Sequence, residues 1–328
     1  MGQQVTAVLL MGFGTPYQSS DIMDFCTCMF GGHKPSEQVY ESVKSHYDAL
    51  NMGGISPLAH VTDDQAGALQ RRLDHDFPDR YKVYTGFKYI EPFIEDVADQ
   101  IAADGITDVR GIALAPQYST STNEGYHRRA EAQFAKHPHM VYTAVRGWWS
   151  DEHLVRFWAD RLAEVRETVD MPNAKVLLVS HSVKNTVIEG GDPYRDEAVN
   201  NAKAVAERAG LQDGKWSVAW QCGGPSVDKW LAPDIEVAVR DFIERGEADT
   251  FVVAPLSFIA DNVEVLYDID IELKANVEKL GGTLIRLRMP NDDPLLIEAL
   301  EDLVCEGEVR ARSQIGIAVP CAHCIKIA

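Results

Sequence analysis

The sequence predicts an α/β protein in which two similar halves each wind a four-stranded parallel sheet between helices. Three observations predict it. Apolar runs of strand length alternate with stretches of helical period, the pattern of a parallel sheet covered by helices on both faces. The run Val176-Leu177-Leu178-Val179 is uninterrupted rather than alternating with polar residues, as a strand buried on both faces requires. The pattern that opens at Thr6–Gly12 reopens at Val176–Ser180, just after the break Pro172-Asn173.

In chain order, strands are expected near Thr6–Gly12, Lys82–Phe87, Gly111–Ala115 and Met140–Arg146, then near Val176–Ser180, Ser217–Gln221, Thr250–Leu256 and Thr283–Arg288. Helices are expected between them, around Glu37–Leu50, Thr62–Phe77, Pro92–Asp104, Glu124–Lys136 and Glu152–Glu167, then Arg195–Ala209, Asp234–Glu244, Asp261–Leu280 and Pro294–Cys305. The resulting division is a doubly wound, Rossmann-like domain over 1–165 and a second over 166–293, with a cleft between them. The last helix, 294–306, is expected to pack back on the first domain, leaving 307–328 as a tail. The length of 328 residues agrees, at roughly 150 residues per domain.

Composition narrows the function. Lys+Arg is 31 against Asp+Glu 50, a formal net charge of −19. Such a field repels phosphate backbones and attracts cations, so nucleic acid is not an expected partner. No segment approaches the roughly 18 apolar residues of a membrane span, and no basic stretch precedes Val5, so a cytoplasmic protein is expected, as a monomer rather than an oligomer. The six cysteines are too sparse for a secreted disulfide framework.

Open α/β sheets bind ligands beyond the carboxyl ends of their strands. Those positions hold Gly12-Phe13-Gly14, Lys88-Tyr89, Pro116-Gln117-Tyr118-Ser119, His181-Ser182, Cys222-Gly223-Gly224 and Ile259-Ala260-Asp261. A dinucleotide fingerprint is excluded, because Tyr17 stands where its third glycine would be. His181 at a strand tip is either a ligand or base, or a histidine filling a loop. Glu264, Asp268 and Glu272 follow at four-residue spacing, which aligns them along one side of an α-helix. That row is either a solvated acidic face or a path for metal ions and protons. An imidazole and a carboxylate facing each other suit a borderline divalent ion such as ferrous iron.

Whole strings then carry a resemblance. Met11-Gly12-Phe13-Gly14-Thr15-Pro16-Tyr17, Gly53-Gly54-Ile55-Ser56-Pro57-Leu58, Ile90-Glu91-Pro92-Phe93, Ala115-Pro116-Gln117-Tyr118-Ser119, Val179-Ser180-His181-Ser182, Trp230-Leu231-Ala232-Pro233-Asp234 and the run from Phe258 to Asp268 resemble the ferrochelatase family, in order over residues 5–305. The spacing is most similar to the Gram-positive branch, which acts on coproporphyrin III. The resemblance implies an enzyme of haem biosynthesis that inserts ferrous iron into that ring. Its neighbours are a protoporphyrin IX ferrochelatase, a cobalt chelatase for another tetrapyrrole and, in a different class, a porphyrin or haem carrier without catalysis. It implies His181 and Glu264 as the catalytic, metal-handling pair, with Asp268 and Glu272 as metal residues behind them. Phe13, Phe30, His33, Ser56, Lys88 and Tyr126 fall where pocket residues bind the porphyrin. Phe13 stands where the branch often has tyrosine, Phe30 and Gly31 where it has arginines, and Asn262 where a histidine is common. Some members carry a [2Fe–2S] cluster on cysteines; here Cys305, Cys321 and Cys324 are the candidate ligands, with Cys222 as a fourth or as part of the substrate wall, and Phe157 stands at the mid-chain ligand position.

Overall fold

The structure is a computed structural model that describes residues 5–169, 173–223, 229–312 and 324–326. Its first half runs β1 (Thr6–Gly12), α1 (Ile22–Met29), α2 (Glu37–Ala49), α3 (Leu58–Asp76), β2 (Tyr81–Phe87), α4 (Ile94–Ala103), β3 (Asp108–Ala113), α5 (Glu124–Phe134), β4 (Val141–Val145) and α6 (Glu152–Arg166). The second runs β5 (Ala174–His181), α7 (Asn185–Glu189), α8 (Tyr194–Arg208), β6 (Trp216–Gln221), α9 (Ile235–Glu244), β7 (Thr250–Pro255), a π-helix over Glu264–Leu273, α10 (Lys274–Lys279) and β8 (Thr283–Arg286). The described chain ends with α11 (Pro294–Arg312) and β9 (Cys324–Lys326).

The sheet orders are β2-β1-β3-β4 and β6-β5-β7-β8, and every pairing within them is parallel. Each sheet therefore reverses its winding between its first and third strands in chain order, the place where such sheets form a crevice. Strand β9 adds to β4 as a short antiparallel fifth strand, and α11 continues to Arg312. The expected tail over 307–328 is thus partly helix and partly sheet edge. Two short helices, α1 and α7, go beyond the expected elements, because eight and five residues are too few to establish a helical period. No helix among the described residues is long and apolar enough to cross a membrane.

Burial explains the unbroken apolar strands. Ala7 through Met11 of β1 are each 0% exposed. Ala7, Leu9 and Met11 pack with Ile94, Val97 and Ile101 of α4 and with Ala130 and Phe134 of α5. Val8 and Leu10 point the other way, into a cluster that continues through Leu69, Leu73, Trp158 and Leu162 to Val176, Leu178, Val252 and Ala254 of the second sheet. Both faces of the strand are covered by apolar side chains, and the two halves share that second core. Helix α11 contributes Leu296, Ile297, Leu300 and Val304 to it and packs against α3 and α6.

One buried polar group inside this frame is pH-sensitive. Gly111 of β3 has no Cβ because one there would sit 2.0 Å from the Tyr142 hydroxyl. That hydroxyl lies 2.8 Å from Nδ1 of His127, whose Nε2 is 3.1 Å from the Val145 carbonyl. A carbonyl only accepts, so Nε2 carries the proton and Nδ1 accepts from the tyrosine. Burial, helped by the Arg146 charge, lowers the His127 pKa to about 4. A histidine lowered on folding favours the native state fully above its unfolded value of about 6.5, and that contribution is lost as pH falls towards 4. At about 1.4 kcal/mol per unit it amounts to about 3 kcal/mol. In urea titrations, His127→Gln is expected to remove this acid loss, so the difference in stability from wild type shrinks between pH 7 and pH 4. A constant difference across that range would refute it.

Candidate active site

A cavity of about 550 Å³ opens where the carboxyl ends of the two sheets face each other. Its floor and walls come from the segments after β1 (Gly12, Phe13, Thr15), β3 (Leu114, Ala115, Gln117), β5 (His181, Val183), β6 (Cys222) and β7 (Ser257 to Ala260), together with the start of the π-helix. Phe25, Met29, Val43, His46 and Tyr47 of α1 and α2 close one side. The lining is mostly apolar, with its ionisable groups gathered at one end.

His181 is the last residue of β5 and is fixed through its backbone and its ring. Its N–H donates to Ser257 Oγ at 2.9 Å, and its carbonyl accepts from the Tyr194 hydroxyl at 2.8 Å. Nδ1 lies 2.7 Å from the Ser182 carbonyl, which assigns the proton to Nδ1 and leaves the Nε2 lone pair unshared. Nε2 is 3.8 Å from Glu264 Oε1. Both side chains are about one-third exposed, at 33% and 38%, so a substrate in the cavity can reach them.

Glu264 begins the π-helix, and the loop before it is held from behind. Asn291 accepts from the Asp261 N–H at 2.8 Å and donates to the Asp261 carboxylate at 2.8 Å. Arg286 reaches Asp261 at 3.2 Å and Asp270 at 2.8 Å. The Asn262 side chain accepts from the Val265 N–H at 3.1 Å, so the asparagine serves the helix start and orients the turn that carries Glu264. Widened π turns recur at functional sites, and this one carries Glu264 and Asp268 on the cavity wall while Glu272 is exposed outside it. The helix expected here as α is wound as π; a four-residue step still comes close to one turn of it, and Asp268 stands near enough to both Glu264 and Glu272 for their charges to raise its pKa.

Asp268 accepts from the Cys222 thiol, with Sγ 2.9 Å from Oδ2. Burial, reinforced by the nearby Glu264 charge and opposed by that hydrogen bond, raises the Asp268 pKa to about 6. Burial and the same carboxylates push the Cys222 thiol far above its ordinary value. The His46 ring stacks on Tyr267 with centroids 4.0 Å apart, next to this acidic end.

The structure separates the predicted pocket residues into two groups. Phe13 and Tyr126 line the cavity. Phe13 is 41% exposed and meets Tyr89 and Phe25 edge-on, which makes it a lip of the opening. Lys88 stands behind Tyr126, its Nζ 5.1 Å from that ring, and burial together with the Arg129 charge lowers its pKa. Ser56 is buried, and its Oγ accepts from the Leu58 N–H at the start of α3; Leu58, rather than Ser56, faces the cavity. Phe30 and His33 follow α1 on the surface and do not line the cavity. Gly31 there has φ +66°, a conformation that disfavours an arginine in its place.

Of the cluster candidates, Cys321 lies outside the described residues and Cys324 falls in β9. Cys305 is 0% exposed, in the same apolar core as Phe157 and Val304. Among the described residues, the sole trio of His, Cys, Asp or Glu side chains with mutually close ligand atoms is His181, Cys222 and Glu264. Sequence reasoning does not single out Tyr194 or Ser257, which bond to the backbone of His181, or His46, which lines the cavity beside Tyr267; the signal of all three is tertiary, since only the fold brings their segments to this site.

The ferrochelatase family model matches residues 5–308. The chain is 37% identical over 309 residues to the coproporphyrin III ferrochelatase of Bacillus subtilis (strain 168), covering 93% of this chain and 98% of that protein. It is 35% identical over 308 residues to the coproporphyrin III ferrochelatase of Geobacillus kaustophilus (strain HTA426), covering 93% and 96%. Among solved structures it is similar to SirB from Bacillus subtilis with Fe3+, with a TM-score of 0.59 at 12% identity over 96% of this chain and 100% of that one, a likeness of fold alone. With strand tips of two like sheets converging on His181 and Glu264, and with the match running almost end to end, the chain belongs to the ferrochelatase family.

Proposed function

We propose that this ferrochelatase inserts ferrous iron into coproporphyrin III, with His181 and Glu264 as the residues that meet the metal and the ring. The observation that carries the reading is the unshared Nε2 of His181 facing the Glu264 carboxylate across 3.8 Å at the floor of an apolar cavity. Insertion removes two N–H protons from the ring and replaces water on the iron with ring nitrogens. Nε2 is placed to accept one proton, and Glu264 to accept the other or to hold the incoming dication. Asp268, behind Glu264, offers the next acceptor on the way out. The apolar walls cover the faces of the macrocycle, while the open side past Phe13 leaves its carboxylates in reach of water. The preference for coproporphyrin rests on the similarity to the Bacillus and Geobacillus enzymes.

We infer as well that the chain divides into units over 1–165 and 166–293, both of which line the cavity, and that it works as a monomer. Purified protein incubated anaerobically with ferrous iron and either ring, followed by the Soret band, is expected to turn over coproporphyrin III faster than protoporphyrin IX. Equal rates would refute the ring preference, and tight ring binding without turnover of either would favour a carrier.

A further inference from the structure

We propose that Cys222 is a third ligand for the metal that His181 and Glu264 hold, giving this chain a nitrogen, sulfur and oxygen site that favours Zn²⁺ and Co²⁺ over harder ions such as Mn²⁺. The proposal deepens the metal-insertion reading and uses the same floor of the cavity. One ligand atom from each of the three side chains lies within 4.8 Å of the other two. Metal–ligand bonds of about 2.0–2.3 Å bring tetrahedral ligand atoms to roughly 3.4–3.6 Å apart, so small side-chain rotations close the set. The fourth direction stays open to the cavity, where a ring nitrogen or water completes the coordination.

The local backbone accounts for where the thiol is held. Cys222 has φ +59°, a left-handed conformation that a non-glycine residue adopts at a cost. A glycine follows at once in Gly223, so the tight turn is made without placing glycine at position 222 itself. The turn sends the thiol towards the π-helix, where it donates to Asp268 at 2.9 Å. That hydrogen bond is also the route for the proton. When the dication arrives, the S–H bond breaks, a sulfur–metal bond forms, and the proton passes to Asp268 Oδ2; no electron changes hands. Thiolate sulfur selects softer ions, whereas an imidazole and a carboxylate alone discriminate less.

The test uses the full chain without porphyrin, titrated anaerobically with Co²⁺. Coordination by Cys222 is expected to give a thiolate-to-cobalt charge-transfer band in the near ultraviolet. Cys222→Ser retains the hydrogen bond to Asp268 and is expected to lose most of that band and to weaken Co²⁺ binding about tenfold or more, while Mn²⁺ binding changes less. His181→Ala, a second variant, should weaken the same band. A band of equal intensity in wild type and Cys222→Ser, a band unaffected in His181→Ala, or no band in wild type would each overturn the proposal. None of these outcomes depends on insertion activity, so failure here is distinguishable from failure of the iron-insertion reading.

Discussion

Replacement of His181 by alanine is expected to slow iron insertion by about 10²–10⁴-fold, the usual worth of a positioned general base, while porphyrin affinity changes only a few-fold. The ring is anchored by its neighbours, so its removal leaves the backbone of β5 in place: the His181 N–H still donates to Ser257 and its carbonyl still accepts from Tyr194. What disappears is the Nε2 acceptor 3.8 Å from Glu264, held in place by the bond from Nδ1 to the Ser182 carbonyl. The apolar walls that cover the macrocycle are untouched. Loss in kcat with little change in ring affinity is the signature of a group that acts in the transition state. Near-normal turnover in this variant, measured by the Soret shift, would remove His181 from the chemistry.

The second large effect is a graded one along the π-helix. Glu264→Gln is expected to reduce kcat by about 10²-fold or more, because it takes the charge from the carboxylate nearest Nε2. Asp268→Asn should cost less, roughly tenfold, since Asp268 is on the wall but one step behind. Glu272→Gln should be close to neutral, because its side chain is outside the cavity. Amide variants keep the size and most hydrogen bonds of each acid, so the series reports on charge and proton acceptance. Equal effects at all three positions would contradict the placement, and negligible effects at all three would mark the row as a solvated face.

Much of this arrangement is legible in the amino-acid sequence. The run Val176 to Val179 announces a strand buried on both faces, and the residue after its last small polar position, His181, therefore falls at a strand tip. The strings after the other strands identify most of the cavity floor in the same way. What fails to show is decided by tertiary context. Four-residue spacing from Glu264 predicts the acidic row, but not that the helix carrying it is wound as π, a choice that no periodicity in eight or ten residues reveals. Ser56 looks like a pocket hydroxyl until α3 turns Leu58 inward and leaves the serine at the helix start. Phe30 and His33 depend on where α1 ends, and α1 is too short to show a period. Cys222 is visible as a strand-tip residue, but its nearness to His181 and Glu264 joins segments that lie some forty residues apart on either side.

The shared core has a consequence for the order in which the molecule assembles on the ribosome. Val8, Leu10, Leu69 and Leu73 emerge first, but part of the surface they pack against is supplied by Leu296, Leu300 and Val304 of α11. At roughly 5–20 residues per second, the first sheet waits many seconds with one apolar flank only partly covered, by α3 and α6. The outer flank, closed by α4 and α5 from nearby sequence, can form without that delay. Synthesis therefore exposes a sticky surface until the final helix appears, and the nascent chain is a natural client for chaperones during that interval.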